Sequence, residues 1–420
     1  MVKRIIFLTG FFSIFNAFYF SFGGLNLRVF DIFFILLFLL SFAVLIYRPK
    51  VERNPHVFVV FGIYIILTVG LLFIGNTNQV YIDNALKGFI HKINWILFYL
   101  IIYLAFKDES IEVFLSGLYF SIILNTLILF YEFYLINQGI QPEYEFLEKI
   151  GLFISEKKMD FFQKNILRPT GVTLDPNYAA SYAGIAFLFG YRKRQWIYKI
   201  SNVFIFFSIF LLLSRTAIFS LLLLILISFF LYILYLNRTM FFKRLHLFWG
   251  ILIIILSGLI VFSTFPDEIG TLVDRFTMRE SSALTRWVYI EGYFEHMNFS
   301  QILFGTGTYS AGYYLAEWSR LSSESFGAPE SNYIAFMVEN GLIFLMVFLF
   351  MLVFVSRKLL RKHIKYAYIF MYINIIGLGY NFLGDRIYMF LLVTLILYSY
   401  KKNNREKAKF EAPDGVFLYD

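Results

Sequence analysis

The chain contains no cysteine and few charged residues, and both absences narrow the protein classes to consider. Without cysteine it can form neither a disulfide framework nor a thiolate zinc site. Only 15% of its 420 residues are charged while 59% are apolar, which argues against a soluble domain. A Walker loop, a GxGxxG turn, an HExxH helix and a DxD pair are also missing. We therefore expect no cofactor and no metal.

Long apolar runs take up nearly the whole sequence. A hydrocarbon core about 30 Å thick needs roughly 20 apolar residues per helical span. The runs predict an all-α integral membrane protein of about twelve transmembrane helices within residues 1–402, followed by a disordered cytoplasmic tail at 403–420. The predicted spans are 5–24, 29–47, 56–75, 89–106, 111–136, 176–191, 196–213, 217–236, 245–265, 332–356, 364–382 and 386–400.

The basic residues favour one orientation of these spans. Lysines and arginines cluster between the apolar runs, and a cytoplasmic N-terminus puts the clusters on inside loops, as the positive-inside rule requires. We therefore expect an inner-membrane protein and no nucleic-acid partner, despite the net charge of +9. The longest loops, 137–175 and 266–331, then lie outside the cytoplasm. The second contains a predicted amphipathic helix, 283–297, which lies either on the membrane surface or over the bundle.

Seven arginines fall near the predicted outer surface. The guanidinium group is permanently charged and its planar fork matches phosphate bidentately. An arginine cluster at a membrane boundary therefore suits a lipid-linked phosphate or diphosphate. The seven are Arg168, Arg215, Arg275, Arg279, Arg286, Arg320 and Arg386.

Arg215 stands out among them. The chain is apolar from Val203 to Leu236 except for isolated serines and the triplet Ser214-Arg215-Thr216. Because one helix of that length would overshoot a bilayer, we predict two spans joined by a tight turn at this triplet. A charge at the apex of such a hairpin needs an anionic partner. That partner is a substrate phosphate, a structural carboxylate or a lipid headgroup.

The segment RPTGVTLDPNYAAS leads from Arg168 into another predicted span. Asp175 suits the N-cap and Pro176 the first helical position, and an outward helix N-terminus favours anions. Because the Asp175 carboxylate would repel a phosphate, we expect it to cap the helix. Asn177, with Tyr178 beside it, is the better candidate for a substrate contact.

Glu330 is the leading carboxylate at the predicted outer surface. It ends the second long loop, just before the span that begins at Asn332, where a partly buried carboxylate suits a general base. The alternative is a charge that stabilises the helix through its dipole. Other candidates for acid–base chemistry are Glu291, Glu295, Glu324, His296 and Asp31.

Taken in order, four segments resemble the O-antigen ligase and polymerase family of bacterial surface-polysaccharide assembly. RPTGVTLDPNY is similar to the family's Arg, Gly and Pro-Asn stretch, and FLLLSRTAIFSLLL is similar to its Ser-Arg motif. ALTRWVYIEGYF followed by ILFGTGTYS is similar to its Arg-and-Trp amphipathic segment with Gly-x-Gly. PESNYIAFMVENGLIFLMVF resembles its His-Asn helix start with Glu-Asn-Gly-Leu-Ile downstream. The four segments fall within roughly 168–350.

The resemblance implies a bundle similar to the GT-C glycosyltransferases, acting at the outer face of the inner membrane without nucleotide or metal. It implies that Arg215 and Arg286 grip the diphosphate of a polyprenyl-linked donor and offset the charge on the leaving group. The remaining substrate-binding candidates are Arg168, Asn177, Tyr178, Arg275, Arg279, Arg320 and Asn332.

One position departs from the family pattern. The family's ligases have a histidine where this chain has Ser331, directly before Asn332. The resemblance therefore implies a Wzy-type polysaccharide polymerase, with Glu330 as the general base. Expected partners are lipid-linked donor and acceptor glycans and membrane lipids, with a chain-length regulator protein as a further candidate. The alternatives are a ligase that moves the finished glycan to a lipid or protein and, from another class, a lipid-oligosaccharide flippase.

Overall fold

The structure, a computed structural model, describes residues 2–22, 25–47, 101–102, 104–105, 109–138, 140, 149, 153–154, 169–191, 193–212, 214–235, 290–307, 311, 331–379 and 385–399. Most of them are helical. The helices are α1 (Val2–Phe12), α2 (Val29–Tyr47), α3 (Glu109–Asn137), α4 (Pro176–Tyr191), α5 (Trp196–Leu211), α6 (Arg215–Tyr235), α7 (Phe299–Phe304), α8 (Asn332–Lys362), α9 (Ile364–Ile376) and α10 (Arg386–Ser399).

Three of these helices are long and apolar enough to cross a membrane, namely α2, most of α3, and α8. The apolar helices α5, α9 and α10 and the first part of α6 are shorter. The described residues are thus mainly helical and agree with a membrane protein, while the number of twelve spans stays a prediction. The predicted spans 56–75 and 245–265, most of 89–106 and the tail 403–420 lie outside the described residues.

The predicted first span, 5–24, is wrong. α1 ends at Phe12, where the Ser13 hydroxyl donates to the Gly10 carbonyl over 2.6 Å. Because a serine that bonds its own backbone competes with the helix ladder, this contact suits a helix end.

A β-hairpin replaces the second half of that span. β1 (Phe18–Phe22) pairs antiparallel with β2 (Leu25–Arg28), and Phe22 faces Leu25. β3 (Phe153–Ile154) adds to β1, which gives the order β2-β1-β3. An aromatic-rich run followed by two glycines is a hairpin signal that the apolar content concealed.

The predicted turn between two apolar helices is confirmed, but it ends at Ser214, because Arg215 and Thr216 already belong to α6. α5 ends at Leu211 and α6 begins at Arg215. The Ile218 amide donates to the Ser214 carbonyl over 3.1 Å, which is the first bond of α6. One continuous helix is therefore excluded here.

α9 lies at the centre of the bundle and contacts α4, α6, α8 and α10. Eight of its residues, from Tyr366 to Ile376, are buried. α1 and α3 pack with their backbones in contact, because a methyl group on Gly10 would lie 2.1 Å from the Phe114 carbonyl oxygen. Small residues at such contacts are typical of helix packing in membranes.

α8 is broken at Gly341, whose φ of 79° and ψ of 173° are not helical. The break separates a half-helix, residues 332–340, from the apolar stretch 342–362. At about 1.5 Å per residue the half-helix is too short to cross a bilayer. The predicted span 332–356 lies within a helix that is long enough to cross a membrane, but it contains a break at Gly341 that the sequence did not predict.

An ion-pair cluster lies at the end of the bundle where α9 begins. Glu112 accepts hydrogen bonds from Lys193 over 2.6 Å, from the Tyr366 hydroxyl over 2.8 Å, and from Lys365. Lys193 follows the predicted span 176–191 and Lys365 lies at the start of the predicted span 364–382, both on the predicted inside, and the structure brings them together at one end.

Candidate active site

Four helices begin at the other end of the bundle, where α9 ends. We call this the polar end: α4, α6, α8 and α10 begin there, around the turn Gly377–Gly379 that follows α9. Helix N-termini carry unpaired N–H groups and a partial positive charge, so several at one place favour an anion.

The start of α8 is bonded to this turn. Ser331 is the N-cap, with its hydroxyl oxygen 3.5 Å from the Ile334 amide. The same hydroxyl donates to the Gly377 carbonyl over 3.3 Å, and the Asn332 amide donates to that carbonyl over 3.0 Å. Asn332, a predicted substrate-binding residue, is therefore buried against the end of α9.

The start of α6 reaches the same turn. A methyl group added to Gly379 would lie 2.8 Å from the Thr216 hydroxyl oxygen. Ser214 is 1% exposed, and within the described part of the chain its hydroxyl has no hydrogen-bond partner. Arg215 begins α6 between them, although its side chain lies outside the described atoms. The predicted Arg215 and Asn332 thus start helices that touch one three-residue turn.

A network of tyrosines links α4, α8, α9 and α10 at the polar end. Tyr333 donates to the Asn374 carbonyl over 2.9 Å, and Tyr388 donates to the Asn374 side chain over 3.2 Å. Asp385 accepts from the Tyr182 hydroxyl over 2.6 Å and from the Tyr388 amide over 2.9 Å. Burial raises the pKa of the Asp385 carboxyl, and these hydrogen bonds oppose the shift.

Asp385 is a residue that sequence reasoning missed. It precedes the first residue of α10 as Asp175 precedes α4. That repeated pattern of an aspartate before an apolar run is a helix-start signal and would have identified it.

The start of α4 is capped as predicted. Asp175 accepts from the Asn177 amide over 2.7 Å, and its carbonyl accepts from Ala179 over 3.1 Å. Asn177 is half-buried. Tyr178 lies beside Tyr182, with ring centroids 6.0 Å apart, and so adjoins the Asp385 network.

The loop before α4, residues 169–175, is held by buried polar side chains. Glu132 of α3 is fully buried, and its Oε2 accepts from the amides of Thr170 over 2.9 Å and Gly171 over 2.8 Å. Gly171 has a φ of 60°, a conformation that suits glycine. Two asparagines hold the rest of the loop through Val172 N to Asn125 Oδ1 (2.7 Å) and Leu174 N to Asn16 Oδ1 (2.8 Å).

The structure leaves several predicted residues undescribed and places others at a helix start or at exposed positions. Asp31, a candidate for acid–base chemistry, lies in the first turn of α2, where its carboxylate accepts from the Arg28 amide over 3.3 Å. Residues 290–296 are helical, in agreement with the predicted amphipathic helix, and three rivals of Glu330 are exposed on them, namely Glu291, Glu295 and His296. The predicted residues outside the described chain are Arg168, Arg275, Arg279, Arg286, Arg320, Glu324 and Glu330.

Comparison with known proteins identifies the segment that contributes α6 and the half-helix. Residues 200–349 match the family described as O-antigen ligase. We call this stretch, which is similar to that family, the O-antigen ligase domain. The resemblance to the O-antigen ligase and polymerase family is thereby confirmed. No curated protein matches the chain.

The O-antigen ligase domain includes both helix starts that touch the Gly377–Gly379 turn from α6 and α8. α9 and α10, which complete the polar end, follow the matched residues. The loop 169–175 and the start of α4 precede them. The site is thus assembled from the domain and from helices on both sides of it.

Proposed function

We propose that this chain is a polymerase of bacterial surface polysaccharide, acting on glycans carried by polyprenyl diphosphate. The observation that supports it is the shared contact of α6 and α8 with the turn Gly377–Gly379. Through this contact Arg215 and Asn332, which begin these two helices, belong to one end of the bundle. An arginine among helix N-termini suits a diphosphate.

The proposed reaction is a direct displacement at the donor sugar. A hydroxyl oxygen of the acceptor glycan attacks the anomeric carbon, the bond from that carbon to the diphosphate oxygen breaks, and polyprenyl diphosphate leaves with the electron pair. Glu330 takes the acceptor proton, while Arg215 and Arg286 offset the charge on the leaving group. Attack opposite to the leaving group inverts the anomeric centre, and no covalent enzyme intermediate forms.

Ser331 favours polymerisation over ligation. It caps α8 and bonds the Gly377 carbonyl, so a hydroxyl cap occupies the position where the family's ligases have a histidine. Proton transfer then falls to a neighbouring group, for which Glu330 is our candidate. A ligase that uses a lipid or protein acceptor remains the second candidate, because the family match includes that activity.

The proposed site faces the outside of the inner membrane. The Glu112 cluster contains two lysines predicted on inside loops and lies at the opposite end from the polar end. If the lysines are cytoplasmic, as the positive-inside rule suggests, the polar end is outside, where glycans on lipid carriers are assembled.

The test is to supply purified protein in vesicles with its own lipid-linked repeat unit and to separate the products on a gel. A ladder of lengthened glycans is expected. Arg215→Ala should lower the rate at least about 100-fold, as loss of one charge-stabilising group does in other enzymes. Arg361→Ala is the matched control, since Arg361 lies in the last turn of α8 at the opposite end, and it should leave the rate unchanged.

Two other outcomes would contradict the polymerase. Transport of the lipid-linked glycan across the vesicle membrane without lengthening would indicate a flippase. Transfer of a preformed long glycan to a lipid or protein acceptor, without a ladder from single units, would indicate a ligase.

A further inference from the structure

The Gly-x-Gly motif of the O-antigen ligase domain contacts the break in α8. We call residues Gly305–Gly307 the GTG clamp. The Thr306 amide and hydroxyl both donate to the Val338 carbonyl over 2.9 Å. The Gly307 amide donates to the Glu339 carbonyl over 3.0 Å. The clamp therefore satisfies two carbonyls at the end of the half-helix 332–340.

The contact between the clamp and the break involves two backbones. A methyl group on Gly305 would lie 2.3 Å from the Glu339 carbonyl oxygen, and one on Gly341 would lie 2.3 Å from the Leu303 carbonyl oxygen. Both glycines also have positive φ, 83° and 79°. Neither Gly305 nor Gly341 can therefore carry a side chain without displacing the backbone that faces it.

The segment that precedes the clamp is rigid and packs on the half-helix. α7 begins with a capping box between Asn298 and Gln301. Tyr293 is fully buried and donates to the Ile302 carbonyl over 2.6 Å. Burial raises the pKa of Tyr293 to about 12, so its hydroxyl stays a donor in mildly alkaline solution as well as at neutral pH. A separate small core joins this segment to the half-helix, made of Tyr293, Met297, Ala311, Ile334, Ala335, Met337 and Val338.

The half-helix is thus held at both of its ends. Ser331 and Asn332 bond the Gly377 carbonyl at its start, and the clamp bonds Val338 and Glu339 at its finish. Helices that end inside a membrane protein need such partners, because freed backbone groups cannot bond lipid. A short helix held at both ends has one position along its axis, and so do Ser331 and Asn332 at its start.

We infer that Thr306 is a positioning residue, which sets the half-helix and with it Ser331 and Asn332 at its start. This inference rests on the proposed function, in which Asn332 binds substrate. The clamp holds the far end of the half-helix, so loosening it lets the start of α8 shift against the turn Gly377–Gly379.

Thr306→Val tests the inference because it removes the hydroxyl while keeping the volume and the amide. The kcat for glycan transfer should fall about tenfold, the usual effect of one lost buried hydrogen bond. The donor KM is measured with it, because Asn332 is a proposed substrate-binding residue and its displacement also weakens binding. Thr306→Ser keeps the donor hydroxyl and should restore kcat. Thr394→Val is the matched control, because Thr394 is a buried threonine that bonds its own helix, α10, and should leave both constants unchanged.

Amide hydrogen exchange tests the GTG clamp independently of glycan transfer. The amides of Thr306 and Gly307 donate to the half-helix, so their exchange measures the contact directly. Thr306→Val should speed their exchange at least about tenfold, with Thr306→Ser close to the unaltered protein and α9 amides unchanged.

The outcomes separate the clamp from the proposed function. Unchanged exchange in Thr306→Val would overturn the clamp itself. Faster exchange with unchanged kcat, or a loss that Thr306→Ser does not restore, would overturn the positioning role. If the unaltered protein lengthens or transfers no glycan, the proposed function fails and the positioning role with it, whatever the exchange shows.

Discussion

Two segments position a helix start at the polar end, and they are held in opposite ways. The loop 169–175, which leads into α4, is held by side chains, because Glu132 and Asn125 of α3 accept hydrogen bonds from its amides. The GTG clamp, which holds the half-helix of α8, is bonded largely by backbone to backbone.

The difference determines which changes each segment tolerates. A side-chain acceptor can be exchanged for a similar one without moving the backbone, so the loop should weaken in steps. Two glycine backbones in contact leave no room for any side chain, so the clamp should fail outright.

Gly341→Ala should have the largest effect. The methyl group would overlap the Leu303 carbonyl at 2.3 Å, and φ of 79° is unfavourable for alanine. We expect a loss of about 3 kcal/mol in unfolding free energy from overlap and strain together, and no measurable glycan transfer. Thermal unfolding in detergent and the gel assay check this. Gly305→Ala should behave alike, and a Gly341→Ala protein with unaltered melting and activity would refute the backbone contact.

Changes at Glu132 should have an intermediate, graded effect. Glu132→Gln keeps an acceptor oxygen but loses the charge, and should cost about 2 kcal/mol, the value of a charged hydrogen bond. Glu132→Ala leaves the amides of Thr170 and Gly171 unbonded and should cost clearly more. Melting temperatures of the two variants give the order. Equal losses of unfolding free energy in the two variants would show that the loop 169–175 does not depend on an acceptor oxygen at position 132. The loop would then not differ from the GTG clamp in its tolerance of substitutions.

Sequence reasoning predicted the parts of the site that carry local signals. The turn before Arg215 followed from the length of an apolar run, and the Asp175 cap followed from aspartate and proline before another run. Both signals lie within a few residues of the feature they predict. The start of α8 at Asn332 was predicted in the same way.

The rest depended on contacts between distant segments. Glu132 is one charge in a long apolar helix, so it scarcely changes the hydropathy that defines a span, and its partners lie in another loop. In the sequence Gly341 is one more glycine in an apolar run, and only its contact with the segment that leads into the GTG clamp distinguishes it. The hairpin after α1 was hidden because aromatic strands and aromatic helices have the same apolar content, and only the two glycines distinguish them.

The Glu112 cluster extends the comparison to the opposite end of the bundle, where the smallest effect is expected. The side chains of Glu112, Lys193 and Lys365 are 35%, 31% and 27% exposed, so water screens their attraction. Glu112→Gln should cost at most about 1 kcal/mol in unfolding free energy and leave glycan transfer unchanged, because α9 separates the cluster from the polar end. Melting at low and high salt together with the gel assay checks both points. A loss of transfer as large as that of Gly341→Ala would mean that the Glu112 cluster and the polar end are coupled through α9. The two ends of the bundle would then not act independently.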